Sequence, residues 1–155
     1  MLRKKYLLTP EGLSRLQSEL DHLQTVRRQE VAKRIQFARE TGGTADDAQY
    51  EDAKNEQALV EGHIRTLERM INRAVVSTPD RDNPRIEFGD RVTVRNQDGT
   101  EEVFTIVGST EANPSEGRIS NESPVGQALL GKKVGDEVEI TVPAGVLKLI
   151  VAKMA

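Results

Sequence analysis

The chain of 155 residues contains no cysteine and no tryptophan. Without thiols neither a disulfide nor a thiolate metal site can form, which suits a reducing compartment. Histidine is nearly missing too: His22 and His63 stand far apart, leaving little support for a His-rich metal site or a His-based nucleophilic triad. Aromatic side chains are few, at Tyr6, Phe37, Tyr50, Phe88 and Phe104, so the composition offers no evident platform for stacking single-stranded bases. The basic start from Met1 to Leu8 has too short an apolar run for a signal peptide. No stretch approaches the ~20 apolar residues of a membrane span. A cytoplasmic location with no membrane partner is the expectation.

The formal net charge of -3 hides a segregated pattern. Residues 1–39 carry nine Lys and Arg against four Asp and Glu, a net of +5. Residues 40–56 reverse the sign, with Glu40, Asp46, Asp47, Glu51, Asp52 and Glu56 against Lys54 alone, a net of -5. Such asymmetry points to charged partners, although a solvated helix surface accounts for many charge runs.

Thr9-Pro10-Glu11 opens a helix: the Thr9 side chain can accept a backbone N–H, and Pro10 needs no donor at the first helical position. Leu13, Leu16, Leu20 and Leu23 then follow at spacings of three, four and three, one stripe of a helix. Val31, Ile35 and Ala38 resume it after an interval of eight that holds the polar Gln24-Thr25 and Arg27-Arg28, so a slip of register is expected between Leu23 and Val31. Gly42-Gly43 ends the pattern. Thr44-Ala45-Asp46-Asp47 has the form of a capping box and places acids where the helix dipole favours them. A second stripe follows, Ala53, Val60, Ile64, Leu67, Ile71 and Ala74. Two helices of about 30 residues joined by so short a turn must run antiparallel, and the rod they form is about 45 Å long. Its acidic tip, residues 42–47, lies at the far end from the point where the chain enters and leaves.

Residues 77–85 read as a linker, polar and carrying Pro79 and Pro84. Beyond them the period changes from helical to alternating. Arg91–Arg95 and Glu102–Val107 flank an Asp98-Gly99 turn, and Glu137–Val142 and Val146–Val151 flank Pro143-Ala144-Gly145. Ser123-Pro124 through Gly131 gives a cap, a first-turn proline and a glycine stop, hence one short helix. The expected fold class is α+β, with a helical hairpin over residues 1–76 and a small antiparallel sheet domain with one helix over 86–155. Nothing in the second domain reads as catalytic; a docking module is the plain interpretation.

Several stretches together resemble the GreA/GreB transcript-cleavage factors over essentially the whole chain. They are Leu8-Thr9-Pro10-Glu11-Gly12, Leu20 to Arg28, Ala48-Gln49-Tyr50 with Ala53-Lys54, Phe88-Gly89, Ile106-Val107-Gly108, Glu111-Ala112, Ile119-Ser120, Ser123-Pro124, and Ala128-Leu129-Leu130-Gly131 through Val134-Gly135-Asp136. The resemblance implies a hairpin that enters the secondary channel of bacterial RNA polymerase and a C-terminal domain of FKBP-like fold that grips the channel rim. It further implies an accessory role, without catalysis by the chain itself. Two tip carboxylates would help hold the second Mg²⁺ of the polymerase, whose two-metal chemistry then cleaves backtracked nascent RNA. The chain needs no cofactor of its own, and a monomer is expected.

At the tip this sequence departs from the family pattern, in which G-D-L-x-E-N is usual; here it reads Gly42-Gly43-Thr44-Ala45-Asp46-Asp47. Gly43 stands where the first acid would be, Asp46 takes the place of the second with a shorter arm, and Asp47 replaces an amide. Asp46 and Asp47 are therefore the candidate metal-directed carboxylates, with Tyr50 completing the tip. Arg27, Arg28, Lys33, Arg34 and Arg39 are candidates to contact RNA, against the simpler reading of ordinary exposed helix cations. Two other functions compete: a non-cleaving Gre-like regulator occupying the same channel, for which Gly43 is the best argument, and a coiled-coil adaptor or prolyl isomerase. An isomerase pocket of that type is rich in aromatics, whereas this domain has only Phe88 and Phe104.

Overall fold

The computed structural model describes residues 4–41 and 44–155, with side chains from residue 48 onward in the second of these stretches. Two compact units emerge, Leu13–Arg73 on one side and the described part of Met1–Gly12 together with Ala74–Ala155 on the other.

The helical unit holds most of α1 (Pro10–His22), a π-helical turn over Leu23–Arg27, α2 (Arg28–Thr41) and α3 (Thr44–Asn72). The π turn falls where the stripe of apolar residues slips. Its wider coil is closed by the Arg28 N–H donating to the Leu23 carbonyl, five residues back rather than four. That absorbs one residue per turn. Eight residues of regular helix would carry Val31 about 80° away from Leu23; with one absorbed, the remaining seven return it to within about 20°. Leu23, Val31 and Ile35 consequently join Ala53, Val60, Ile64 and Leu67 in a single buried seam. Cross-pairs show the helices antiparallel: Gln24 meets Glu68, Arg28 meets Glu61 and Arg39 meets Tyr50. Ala74, read from the sequence as the last residue of the helical stripe, instead opens a strand, because α3 stops at Asn72.

In the other unit β1 (Tyr6–Leu8) and β2 (Ala74–Val76) pair in parallel, an arrangement that three-residue strands do not announce by periodicity. That pairing is why the chain on both sides of the hairpin groups with the sheet unit, whereas the sequence places 1–76 with the helices. Thr9 caps α1 as its position suggests, accepting from the Gly12 N–H at 3.0 Å. Its own N–H and hydroxyl donate to Glu111 at 2.8 and 2.5 Å. The contact fits only because residue 12 is glycine: a Cβ there would stand 2.1 Å from the Glu111 carboxyl carbon.

A five-stranded sheet follows, in the order β5-β4-β3-β7-β6. β3 (Arg91–Asn96) and β4 (Glu101–Val107) form one hairpin and β6 (Glu137–Val142) and β7 (Gly145–Met154) another, as their alternation predicts. Gly99, with φ of 89°, supplies the left-handed residue of the first turn. The edge strand β5 (Arg118–Ser120) pairs with β4 in parallel, so the sheet is mostly rather than wholly antiparallel. The short helix α4 (Pro124–Leu129) is capped by Ser123, which accepts from the Gly126 N–H. Leu129 from α4, Val92, Val94, Ile106, Ile140 and Val151 belong to one core.

Candidate functional site

Helix α3 begins at Thr44, so the backbone of Asp46 and Asp47 lies in its first turn, where a helix dipole favours acidic residue types. Gly42, Gly43 and the side chains of Thr44, Ala45, Asp46 and Asp47 lie outside the described residues, and the predicted capping box with them. Thr44 stands about 42 Å along the axis from Asn72, at 1.5 Å per residue over Thr44–Asn72.

One helical turn beyond the tip acids, Tyr50 is half-buried and packs against the hairpin seam. The Arg39 guanidinium lies 5.7 Å from the Tyr50 ring centroid and reaches its hydroxyl at 3.5 Å. That hydrogen bond, ahead of the opposing effect of burial, holds the Tyr50 hydroxyl below the usual phenol range. Arg39 thus stands at the tip on a fixed partner.

The other candidate cations divide sharply. Arg27 donates to Glu30 on its own side of the hairpin and to Glu56 on α3, and Arg34 pairs with the same Glu56. Arg28 grips Glu61 through two parallel bonds of 2.9 and 2.7 Å. The bond from Arg28 is the main cause that depresses the Glu61 carboxyl, and the same bond raises the guanidinium. These three arginines staple α2 and the preceding turn to α3. Lys33 has no ion pair among the described residues. It shares a groove of about 260 Å³ with Arg34, Phe37, Ala38 and Gln49.

Phe37 is 61% exposed. It is the exposed aromatic side chain that stands beside the cations Lys33 and Arg34. Its signal in the sequence is positional, since Phe37 falls between the stripe residues Ile35 and Ala38 rather than on the stripe.

No group of three or more acidic or histidine side chains among the described residues is arranged to hold a metal. In the sheet unit a wider groove of about 960 Å³ runs along Thr78–Pro84 and Lys133–Val134. It mixes Asp80 and Asp90 with Arg81 and Lys133, so its charges share no common aim. Asp90 is buried, and its carboxylate already accepts the Glu87 N–H at 2.7 Å. Size alone does not make this groove the functional site.

The two halves of the chain match two family profiles, residues 6–76 that of the N-terminal part of the transcription elongation factors and residues 81–155 that of the GreA/GreB C-terminal part. The chain belongs to the GreA/GreB family. It is 49% identical to transcription elongation factor GreA of Chloroflexus aggregans, with 99% of each chain covered. To that of Geobacillus kaustophilus it is 46% identical, over 97% of this chain and 98% of the relative. Among solved structures, the GreA factor homolog 1 of Thermus thermophilus is 32% identical, covering 98% of this chain and 99% of its own, with a TM-score of 0.45. As a GreA/GreB family member the chain is a transcription elongation factor, and both units of the fold carry family sequence.

Proposed function

We propose that this chain inserts its helical hairpin into the secondary channel of bacterial RNA polymerase and stimulates the polymerase to cleave backtracked RNA, thereby rescuing arrested complexes. The observation that carries the reading is the sealed antiparallel pair α2–α3, with Asp46 and Asp47 in the first turn of α3, about 38 to 39 Å along the axis from Asn72. A rigid rod of that length can deliver charge to a recessed centre without ordering a flexible loop first, which lowers the entropic cost of docking.

Carboxylates are the hard oxygen donors that Mg²⁺ prefers, usually one or two alongside retained waters. Asp46 and Asp47 would provide them to an ion of the polymerase, which supplies the phosphoryl-transfer chemistry. Their adjacent positions put them about 100° apart around the helix. The arginine staples from Arg27, Arg28 and Arg34 act earlier in the sequence of events, keeping the rod straight so that the tip arrives in register.

Addition of the protein to backtracked elongation complexes across a Mg²⁺ titration should raise RNA cleavage above the polymerase's own rate. Asp46→Asn with Asp47→Asn should lower that stimulation by about tenfold or more while leaving competition for the channel unchanged. Equal cleavage with and without the wild-type protein would defeat the reading.

Gly43 favours a second reading, a channel-occupying regulator that does not promote cleavage, because the position usually held by an acid carries no side chain at all. Under it Gly43→Asp creates stimulation that the wild type lacks. No gain from that substitution would show that the missing carboxylate is not what limits the factor.

A further inference from the structure

Phe37 leaves most of its ring in water on the flank of α2, although Ala38 beside it is 5% exposed and Ile35 two residues earlier is 7% exposed. A helix facing only solvent gains nothing from an aromatic ring there. The neighbours give the ring a context: Lys33 and Arg34 lie four and three residues before it, on the same surface, and Gln49 closes the groove from α3. Arg34 is committed to Glu56, whereas Lys33 has no ion pair among the described residues and can offer its ammonium group to a phosphate. Leu59 is more exposed still, at 75%, but its helical neighbours Asn55, Glu56, Gly62 and His63 include no Lys or Arg.

We infer that Phe37, Lys33 and Gln49 form a subsite for one nucleotide of single-stranded RNA, the base stacked on the Phe37 ring, its edge met by the Gln49 amide and its phosphate by Lys33. Every base has a π face, so stacking on a Phe ring is tolerant of sequence. Gln49 has both a donor and an acceptor and can serve either kind of base edge. The groove, at about 260 Å³, falls just under the range of roughly 300–1,000 Å³ occupied by drug-sized ligands, which suits one base and not an oligonucleotide. A positive charge beside an exposed ring selects an anionic, aromatic partner over a neutral apolar one. That the nucleic acid is RNA rests on the cleavage-factor reading; the stacking contact does not, and its test therefore dispenses with polymerase.

Full-length protein is titrated with a single-stranded RNA trinucleotide while the base protons are followed by NMR, with ribose 5-phosphate as the base-free control. Ring-current shifts of the base protons are expected for the trinucleotide, and saturation transfer from the Phe37 ring is expected to reach the trinucleotide and not the ribose protons of the control. Phe37→Ala should abolish the ring-current shifts and weaken apparent binding by about fivefold or more. Phe37→Trp should preserve both, and Lys33→Gln should weaken binding and flatten its salt dependence. Base protons that do not respond at millimolar trinucleotide, or that respond equally with Phe37→Ala, overturn the subsite. So does a Phe37→Ala protein that loses affinity for RNA-free polymerase while its trinucleotide spectra match wild type, since the ring would then be a protein contact.

Discussion

Glu56 accepts from Arg27 and Arg34 together while it is itself only partly exposed, 24%, and so it decides what two of the basic residues can do. A single surface pair contributes about 0–1 kcal/mol; one carboxylate shared by two guanidiniums sits at or slightly above the top of that range. Glu56→Gln should lower stability by about 0.5–1.5 kcal/mol, measured by urea unfolding, with the loss shrinking at high salt. Release of Arg27 and Arg34 should at the same time increase non-specific RNA retention. Asp90 is the residue with the clearest pH signature. Burial, chiefly, raises its carboxyl above the ordinary 3.8, and the nearby Glu87 charge adds to this against the backbone hydrogen bond that lowers it. The folded state therefore holds the proton more tightly than the unfolded chain. The stabilisation from Asp90 is complete below 3.8 and is lost as pH rises through the folded value. Asp90→Asn keeps an oxygen for the Glu87 N–H and removes the charge, so its stability relative to wild type should improve between pH 3.5 and 7, as read from unfolding midpoints at the two ends.

At the scale of elements, the π turn over Leu23–Arg27 makes a prediction that a regular helix would not. Deleting Thr25 removes the absorbed residue, converts the turn to α-helix and leaves Val31 and Ile35 on the seam, so the fold should survive with a change of about 1 kcal/mol or less. Deleting Ala32 instead turns Ile35 and Ala38 by about 100° away from α3 and should cost roughly 2–5 kcal/mol, the scale of losing a buried aliphatic contact. Thermal melts followed by helical circular dichroism distinguish the two deletions. The slip was legible as a gap of eight between Leu23 and Val31, because a broken stripe must be mended by something; the kind of mend was not, since a kink or a loop would serve as well. Hairpins and the α4 cap were legible for the same local reasons, through Asp98-Gly99 and Ser123-Pro124. The parallel pairs β1–β2 and β4–β5 were not, because three-residue strands carry no period and their partners are set by the rest of the fold.

For the whole molecule, two separate cores mean that damage can be confined. Ile64, 2% exposed in the seam, should cost about 2–5 kcal/mol as Ile64→Ala, lowering the midpoint of the helical signal while amide exchange in β3 and β7 stays slow. A single coincident transition in wild type and variant would show that the units are thermodynamically one. The candidate site was half legible: acids at a turn and cations along a helix are visible in any sequence with this charge pattern. Which arginines are already occupied was not, because Glu56 and Glu61 lie 22 to 33 residues away from them and meet them only once the helices pair. Phe37 was legible by its position off the stripe between Ile35 and Ala38, but the groove that it shares with Lys33 and Gln49 forms only once the helices pair.

The parallel stitch of Tyr6–Leu8 to Ala74–Val76 brings the two entry points of the hairpin to neighbouring strands, about 4.8 Å apart. In evolutionary terms the arm is a cassette. Residues 13–73 should be exchangeable for a flexible bridge of about eight Gly and Ser residues, with a root-mean-square span of roughly 15 Å, to leave a sheet unit that folds unaided. Conversely, lengths of paired helix should be insertable or removable between those strands without disturbing the pairing of β1 with β2.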